Sequence, residues 1–297
     1  MKKLFILPFL VIFVSATFAQ TGTEKTGSLL WKISGNGLTQ PSYIFGTHHL
    51  FPLSFLQTVS GLNEALASSQ QVVGELVMND MPAMQAEIQR LSMMPSDSTW
   101  QMLLSEDDYR FVDEQLTTFL GAGLQVLGAF KPSMISLIFS ATLYQAMFPE
   151  TNPNESMDGW FQQQATGRGI PVLGLETVQD QVKAFGVGSL RQQATDLACA
   201  MRNVEFAKSS TMRLNTLYQS ADLTALAGLL REENPCAFSA EQEYALNNER
   251  NKRWLEKLPI IMADKPSFVA VGALHLAGEA GILHGLKQAG FTVEAVK

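Results

Sequence analysis

Apolar positions fall into two patterns along this chain: short β-branched runs near its ends, and long amphipathic stretches between them. Leu29 to Ser34 and Pro41 to Gly46 read as strands joined by Gly35-Asn36-Gly37, a hairpin signal. A helix is expected around Phe55 to Ala67, where Leu56, Val59, Leu62 and Leu66 share one face. Gln71 to Val77 is a β-branched run carrying Glu75 late in its length. Strand, loop, helix and strand in that order predict a βαβ unit and therefore a parallel sheet.

The middle of the chain reads as helical. Ser105 with Asp108 three residues on resembles a capping box opening a helix to about Leu120. Pro132 suits the first turn of an apolar helix reaching about Met147, and a further helix is expected near Met157 to Thr166. The strand Ile170 to Leu175 then ends at Glu176. Long helices are expected from Leu190 to Tyr218, Leu223 to Arg231 and Ala240 to Leu258, the last opened by Ser239 with Gln242. A strand Ser267 to Val271, a helix Glu279 to Gln288 and a strand Phe291 to Val296 repeat the βαβ order at the end. The predicted fold is α/β: a central mixed, partly parallel sheet flanked by helices, forming one domain over 20–297. A large helical insertion lobe takes up about 80–165 and 180–258.

Composition fills in the setting. With 297 residues, 46% hydrophobic and 16% charged, the chain has the makings of a buried core and not of a disordered segment. A net charge of −7 removes the basic footprint of a nucleic-acid binder. Lys2 and Lys3, the apolar run Leu4 to Val14 and Thr17-Phe18-Ala19 read as a signal peptide over 1–19, so the mature protein is expected to be exported, periplasmic or extracellular. That run is shorter than the roughly 18–20 residues a membrane-spanning helix needs. Cys199 and Cys236 are the two cysteines, open to either a disulfide or two buried thiols.

The four histidines are His48, His49, His275 and His284, and their distribution carries the chemistry. In open α/β sheets ligands lie at the carboxyl ends of parallel strands. By the strand assignments above, His49, Glu75, Glu176 and His275 all occupy such places. Two imidazoles and two carboxylates there suit a divalent ion with open positions for water, the chemistry of amide or ester hydrolysis. Each residue alone also has a structural reading, as a packed histidine or a helix cap. A strand followed by Gly-Thr-His-His near the start is echoed by one followed by Gly-Ala-Leu-His near the end. There is no His-Glu-x-x-His, Gly-x-Ser-x-Gly or Walker loop.

Tyr43-Ile44-Phe45-Gly46-Thr47-His48-His49-Leu50, Val72-Val73-Gly74-Glu75, Gly174-Leu175-Glu176-Thr177 with Gln179 or Gln181, Glu249-Arg250-Asn251 and Gly272-Ala273-Leu274-His275-Leu276 together resemble the TraB/GumN family. That family is related to the Tiki metalloproteases and more distantly to the erythromycin-esterase and ChaN-like fold. The resemblance spans the mature chain and implies two Gly-x-x-His motifs ending in His49 and His275, acidic positions at Glu75 and Glu176, and a helical Arg250-Asn251 pair. It implies one or two divalent ions (Mn, Co, Zn or Fe) held by His49, His275, Glu75 and Glu176. The carboxylate left off the metal would be the general base. Arg250, ordinarily a solvated charge on a helix, is then expected in the cleft with Asn251, orienting substrate or an oxyanion. His48 departs from the aliphatic residue many relatives carry there, and is open to being a ligand, a proton shuttle or a bystander. Asp158 reads as a helix cap ahead of a site neighbour, and His284 as a surface residue.

The function expected from the sequence is an exported metal-dependent hydrolase of the peptidase kind, acting on a peptide or small molecule. A binding protein without turnover, using the same cleft, is the alternative. A third reading places a lipid or partner helix on the apolar groove of Ile135 to Met147.

Overall fold

The computed structural model describes residues 27–78, 81–229 and 231–297; the segment 1–19, expected to be a signal peptide, lies outside them. Six strands form one sheet: β1 (Leu30–Gly35), β2 (Ser42–Thr47), β3 (Gln71–Gly74), β4 (Val172–Gly174), β5 (Ser267–Gly272) and β6 (Phe291–Ala295). Their order is β4-β3-β5-β2-β1-β6, with β4, β3, β5 and β2 parallel and β1 antiparallel to both β2 and β6. This is the mixed, partly parallel α/β sheet that the strand pattern predicts. The hairpin forms through Gly35, Asn36 and Gly37, all at positive φ, where two glycines remove the Cβ clash. β3 and β5 are buried along nearly their whole length, as parallel strands covered on both faces should be.

Ten helices position the site and its lobe: α1 (Leu62–Ser68), α2 (Met81–Ser92), α3 (Glu106–Leu120), α4 (Pro132–Met147), α5 (Met157–Gly167), α6 (Val178–Phe185), α7 (Leu190–Arg202), α8 (Val204–Gln219), α9 (Glu249–Asp264) and α10 (Ile282–Gln288). The sheet core collects Phe45, Val73, Phe161, Trp254, Phe268 and Leu286. A separate core in the lobe collects Trp100, Val112, Leu116, Ile135, Phe139 and Leu197. Among the described residues no helix is long and apolar enough to cross a membrane.

Three expected helices are corrected. The helix around Phe55 to Ala67 is a 3-10 segment, Leu53–Thr58, followed by α1, because Gly61 between them takes φ 70. The long helix Leu190 to Tyr218 breaks at Asn203 into α7 and α8. Asn203 Nδ2 donates to the Cys199 carbonyl beside a Cys199–Cys236 disulfide, which settles the cysteine question in favour of pairing. The helix starting at Ala240 does open with the Ser239/Gln242 capping box, but runs through a π turn, Tyr244–Asn248, into α9 and ends at Asp264. The strands near Gln71 and Ile170 are shorter than expected, so Glu75 and Glu176 stand just beyond them.

Candidate functional site

Parallel pairing brings the chemistry-bearing residues to one edge. Gly46 pairs with Val271 and Thr47 with Gly272, while Gly74 pairs with both Ala270 and Gly174. His48-His49, Glu75, Glu176 and the turn Ala273–His275 therefore leave the sheet side by side. The echo between the two Gly-x-x-His segments is thus a spatial one, on adjacent strands. Gly46 is required by this closeness: a Cβ there would stand 3.0 Å from the Ala273 Cα.

At the centre is Arg250 of α9, 1% exposed. Its Nε donates to Glu176, its Nη2 to Glu75 Oε2 and Glu176 Oε1 at 2.6 Å each, and its Nη1 to the Leu246 carbonyl and to His275 Nε2 at 3.0 Å. The π turn before α9 inserts an extra residue into the helix, and its Leu246 carbonyl receives the guanidinium. Because Arg250 can only donate, His275 Nε2 accepts and its Nδ1 carries the proton, given to Asn251 Oδ1 at 2.7 Å. Asn251 is fixed in turn by donating to the carbonyls of His275 and Ala280. Trp254 backs the assembly, 4.7 Å under the Arg250 guanidinium and 4.5 Å from the His275 ring. Glu75 is also held by the Gly272 amide at 2.9 Å and by Gln181 Nε2 at 3.1 Å.

His49 stands across this cluster. Its Nδ1 lies 2.6 Å from Asp158 Oδ2, and Thr47 Oγ1 donates to the other Asp158 oxygen at 3.0 Å. Nδ1 therefore donates, and Nε2 is the ring nitrogen on the Gly272 side. Around Gly272 the two halves meet: a Cβ there would lie 3.4 Å from Glu75 Oε1, 3.5 Å from His275 Cδ2 and 3.6 Å from His49 Nε2. His48 packs among Phe51, Tyr144 and Tyr218 and accepts from the Leu50 amide through Nδ1. His284 is exposed on α10, as expected.

The charges follow from these contacts. Burial alone would lower the His49 pKa, but Asp158 outweighs it and holds the imidazole above its ordinary value. Burial and then Arg250 push His275 down to about 3, so it stays neutral. Burial with the neighbouring His49 takes His48 to about 3 as well. Burial would raise Glu75, yet Arg250, with His49 and the Gly272 amide, brings its carboxyl down to about 2. Glu176 moves the opposite way: burial lifts it above its ordinary range against the pull of Arg250. One guanidinium serves two carboxylates, and Glu75 has the further partners.

A cavity of about 70 Å³ opens onto this edge, lined by His48, His49, Glu75, Tyr218, Arg250 and His275 among others. A smaller one of about 30 Å³ reaches His49, Glu75, Asp158 and Gln181 from the other side. The expected ligands His49, His275, Glu75 and Glu176 do come to one edge. The divalent ion that the family resemblance implies nevertheless does not fit this arrangement. The Nε2 lone pair of His275 and both oxygens of Glu176 face Arg250, whose guanidinium supplies the positive charge between the carboxylates. Among the described residues no three His, Cys, Asp or Glu side chains stand as a metal-binding group. All five guanidinium N–H groups of Arg250 and the Asn251 amide are engaged within the protein.

Asp158 is corrected from cap to site partner. Ser156 takes the N-cap of α5, accepting from the Gly159 amide, and this frees Asp158 for His49. The sequence held that signal, since a serine two residues earlier competes for the cap. Of Gln179 and Gln181 it is Gln181 that reaches the site, while Gln179 meets Glu87 on the surface. Tyr218, whose hydroxyl donates to the Gly46 carbonyl, had no local sequence signal.

Fold and site together define an α/β protein with a buried His/Glu/Arg cluster at the carboxyl edge of its parallel strands. The model of the TraB/PrgY/gumN family matches residues 29–295, nearly the whole chain, and the chain belongs to that family. No curated protein and no solved structure matches it.

Proposed function

We propose that this chain is an exported hydrolase that cleaves an ester or amide bond in a peptide or small-molecule substrate, with His49 as general base. The observation that carries this reading is the Asp158–His49 pair, 2.6 Å long and facing a cavity at the strand ends. A buried carboxylate that fixes the tautomer and raises the basicity of an imidazole is the arrangement a water-activating base requires. His49 Nε2 takes a proton from water as the oxygen adds to the substrate carbonyl carbon. The same proton passes to the leaving oxygen or nitrogen when the scissile bond breaks. Arg250 acts by positioning: it holds Glu75 ionised and His275 neutral at the cavity wall. Export is supported by the Cys199–Cys236 disulfide, a bond that persists in oxidising compartments.

The test is hydrolysis of a panel of p-nitrophenyl esters and fluorogenic peptides by the full chain. His49→Ala is expected to lower the rate roughly 10²–10⁴-fold. The rate should rise with pH through an apparent pKa above the ordinary imidazole value of about 6.5, because only neutral His49 accepts the proton. Equal rates for His49→Ala and wild type would remove His49 from the mechanism. Ligand binding without turnover across the panel would assign the site to sequestration.

A further inference from the structure

A larger chamber lies in the helical lobe, outside the His/Glu/Arg cluster. About 450 Å³ opens between α2, α4, α6 and α7, walled by Ile88, Leu91, Met134, Leu137, Val182 and Phe185. A second cavity of about 140 Å³ shares Leu137 and Phe185 with it and reaches Cys236 of the disulfide. Phe185 also lines the cavity at the strand ends, so one half-buried ring borders all three spaces. It is the last residue of α6, followed by Gly186 at the cap and Gly188 at φ 92. Phe185 thus stands where the site and the lobe cavities border one another.

Most polar groups along the chamber have partners within the protein, and Lys183, which also lines it, is exposed. Lys131 Nζ donates to the Leu91 carbonyl, and Gln193 Nε2 to the carbonyls of Gly186 and Gly188. Gln179 Nε2 donates to Glu87, and Gln181 Nε2 to Glu75. Ser92 Oγ, 2% exposed, is the buried hydroxyl there without a partner among the described residues. One hydroxyl can meet one polar atom. A peptide brings a donor and an acceptor with nearly every residue, and burying them unpaired is costly. A hydrocarbon chain brings neither, and the chamber volume falls within the range of small-molecule pockets, about 300–1,000 Å³.

We propose that this chamber receives the acyl chain of the substrate, so that the bond cleaved beside His49 is the ester or amide of a medium-chain fatty acyl group. Water adds to the acyl carbonyl, the carbon–oxygen or carbon–nitrogen bond breaks, and the proton taken by His49 leaves on the alcohol or amine. The products are the free fatty acid and that alcohol or amine. The choice of scissile bond rests on the hydrolase reading above; the occupant of the chamber does not.

The test uses the full chain and two readouts: calorimetric binding of butyrate, octanoate and dodecanoate, and hydrolysis of the matching p-nitrophenyl esters. Affinity is expected to rise about fourfold for each added methylene until the chamber is full. Phe185→Trp enlarges the ring that borders the chamber and Leu137→Gln places an amide in the wall. Each should lower the dodecanoate-to-butyrate affinity ratio about tenfold or more, a ratio that a general loss of folded protein does not change. Affinity independent of chain length, or a ratio unmoved in both variants, overturns the acyl chamber. Hydrolysis with no chain-length preference removes the chamber and leaves the hydrolase. Chain-length-dependent binding with no hydrolysis leaves the chamber and removes the hydrolase.

Discussion

The sheet edge and the helical lobe are built on opposite principles. At the edge, Glu75, Glu176, Arg250, Asn251 and His275 are buried, and their bonds are directional, each donor meeting a specific acceptor. In the lobe, Trp100, Val112, Leu116, Ile135 and Phe139 pack without direction in a core of their own, and α4 contributes both to that core and to the walls of the two cavities. Directional networks fix atoms to fractions of an ångström and tolerate little. Apolar packing fixes volume and tolerates more. On the proposed reading, the strand ends hold the reacting groups and the helices hold the substrate's apolar part, with Phe185 lining the spaces on both sides.

That contrast is broken most severely at Arg250. Arg250→Met leaves two buried carboxylates facing one another, and is expected to cost about 3–5 kcal/mol in urea unfolding. Arg250→Lys should rescue little, because an ammonium cannot reach Glu75, Glu176, Leu246 and His275 together in the planar geometry that the guanidinium supplies. A loss below about 1 kcal/mol in Arg250→Met would mean that the carboxylates are not held by this cation. In the lobe, replacing Cys199 and Cys236 by serine should cost about 2–4 kcal/mol, yet leave the apparent pKa of hydrolysis where it was. A shift in that pKa would show that the two regions are coupled.

Acid sharpens the comparison further. His48 and His275 stay neutral in the fold down to about pH 3, whereas the unfolded chain protonates them near 6.5. The unfolded state therefore binds more protons across that window, and stability falls as pH drops from 6.5 toward 3. Glu75 adds a second loss as pH falls from the ordinary carboxylate range through about 2. His49 acts in reverse: its stabilisation is complete below 6.5 and is lost as pH rises through its raised folded pKa. Glu176, raised above its ordinary range, acts in the same sense as His49; the two strongly lowered imidazoles outweigh these, so urea midpoints should decline between pH 7 and pH 4. The smallest expected change is His48→Phe, which removes one of those imidazoles and should flatten the decline. An unchanged slope would mean that His48 is charged in the fold.

Much of this site was legible because strand ends are. The β-branched runs and the Gly-x-x-His segments place His49, Glu75, Glu176 and His275 at one edge from the sequence alone, and strand pairing brings them there. What could not be read depends on partners distant in sequence. Arg250 looks like a surface charge until a π turn and two carboxylates 74 and 175 residues away enclose it. Asp158 looks like a cap until Ser156 takes that place and Thr47 and His49 claim its oxygens. The breaks at Gly61 and Asn203 have local signals, a glycine free to take positive φ and an asparagine beside a disulfide. Helical periodicity on either side of them masked both.

The account stands on water activation by a histidine that Asp158 holds, with Arg250 in the place between the carboxylates. The most direct measurement is ester hydrolysis by the full chain after exhaustive dialysis against a strong chelator, run beside Asp158→Asn. The expected result is an undiminished rate for the dialysed wild type and a loss of about a hundredfold or more for Asp158→Asn. A rate abolished by the chelator and restored by a divalent cation, with Asp158→Asn as active as wild type, would contradict it.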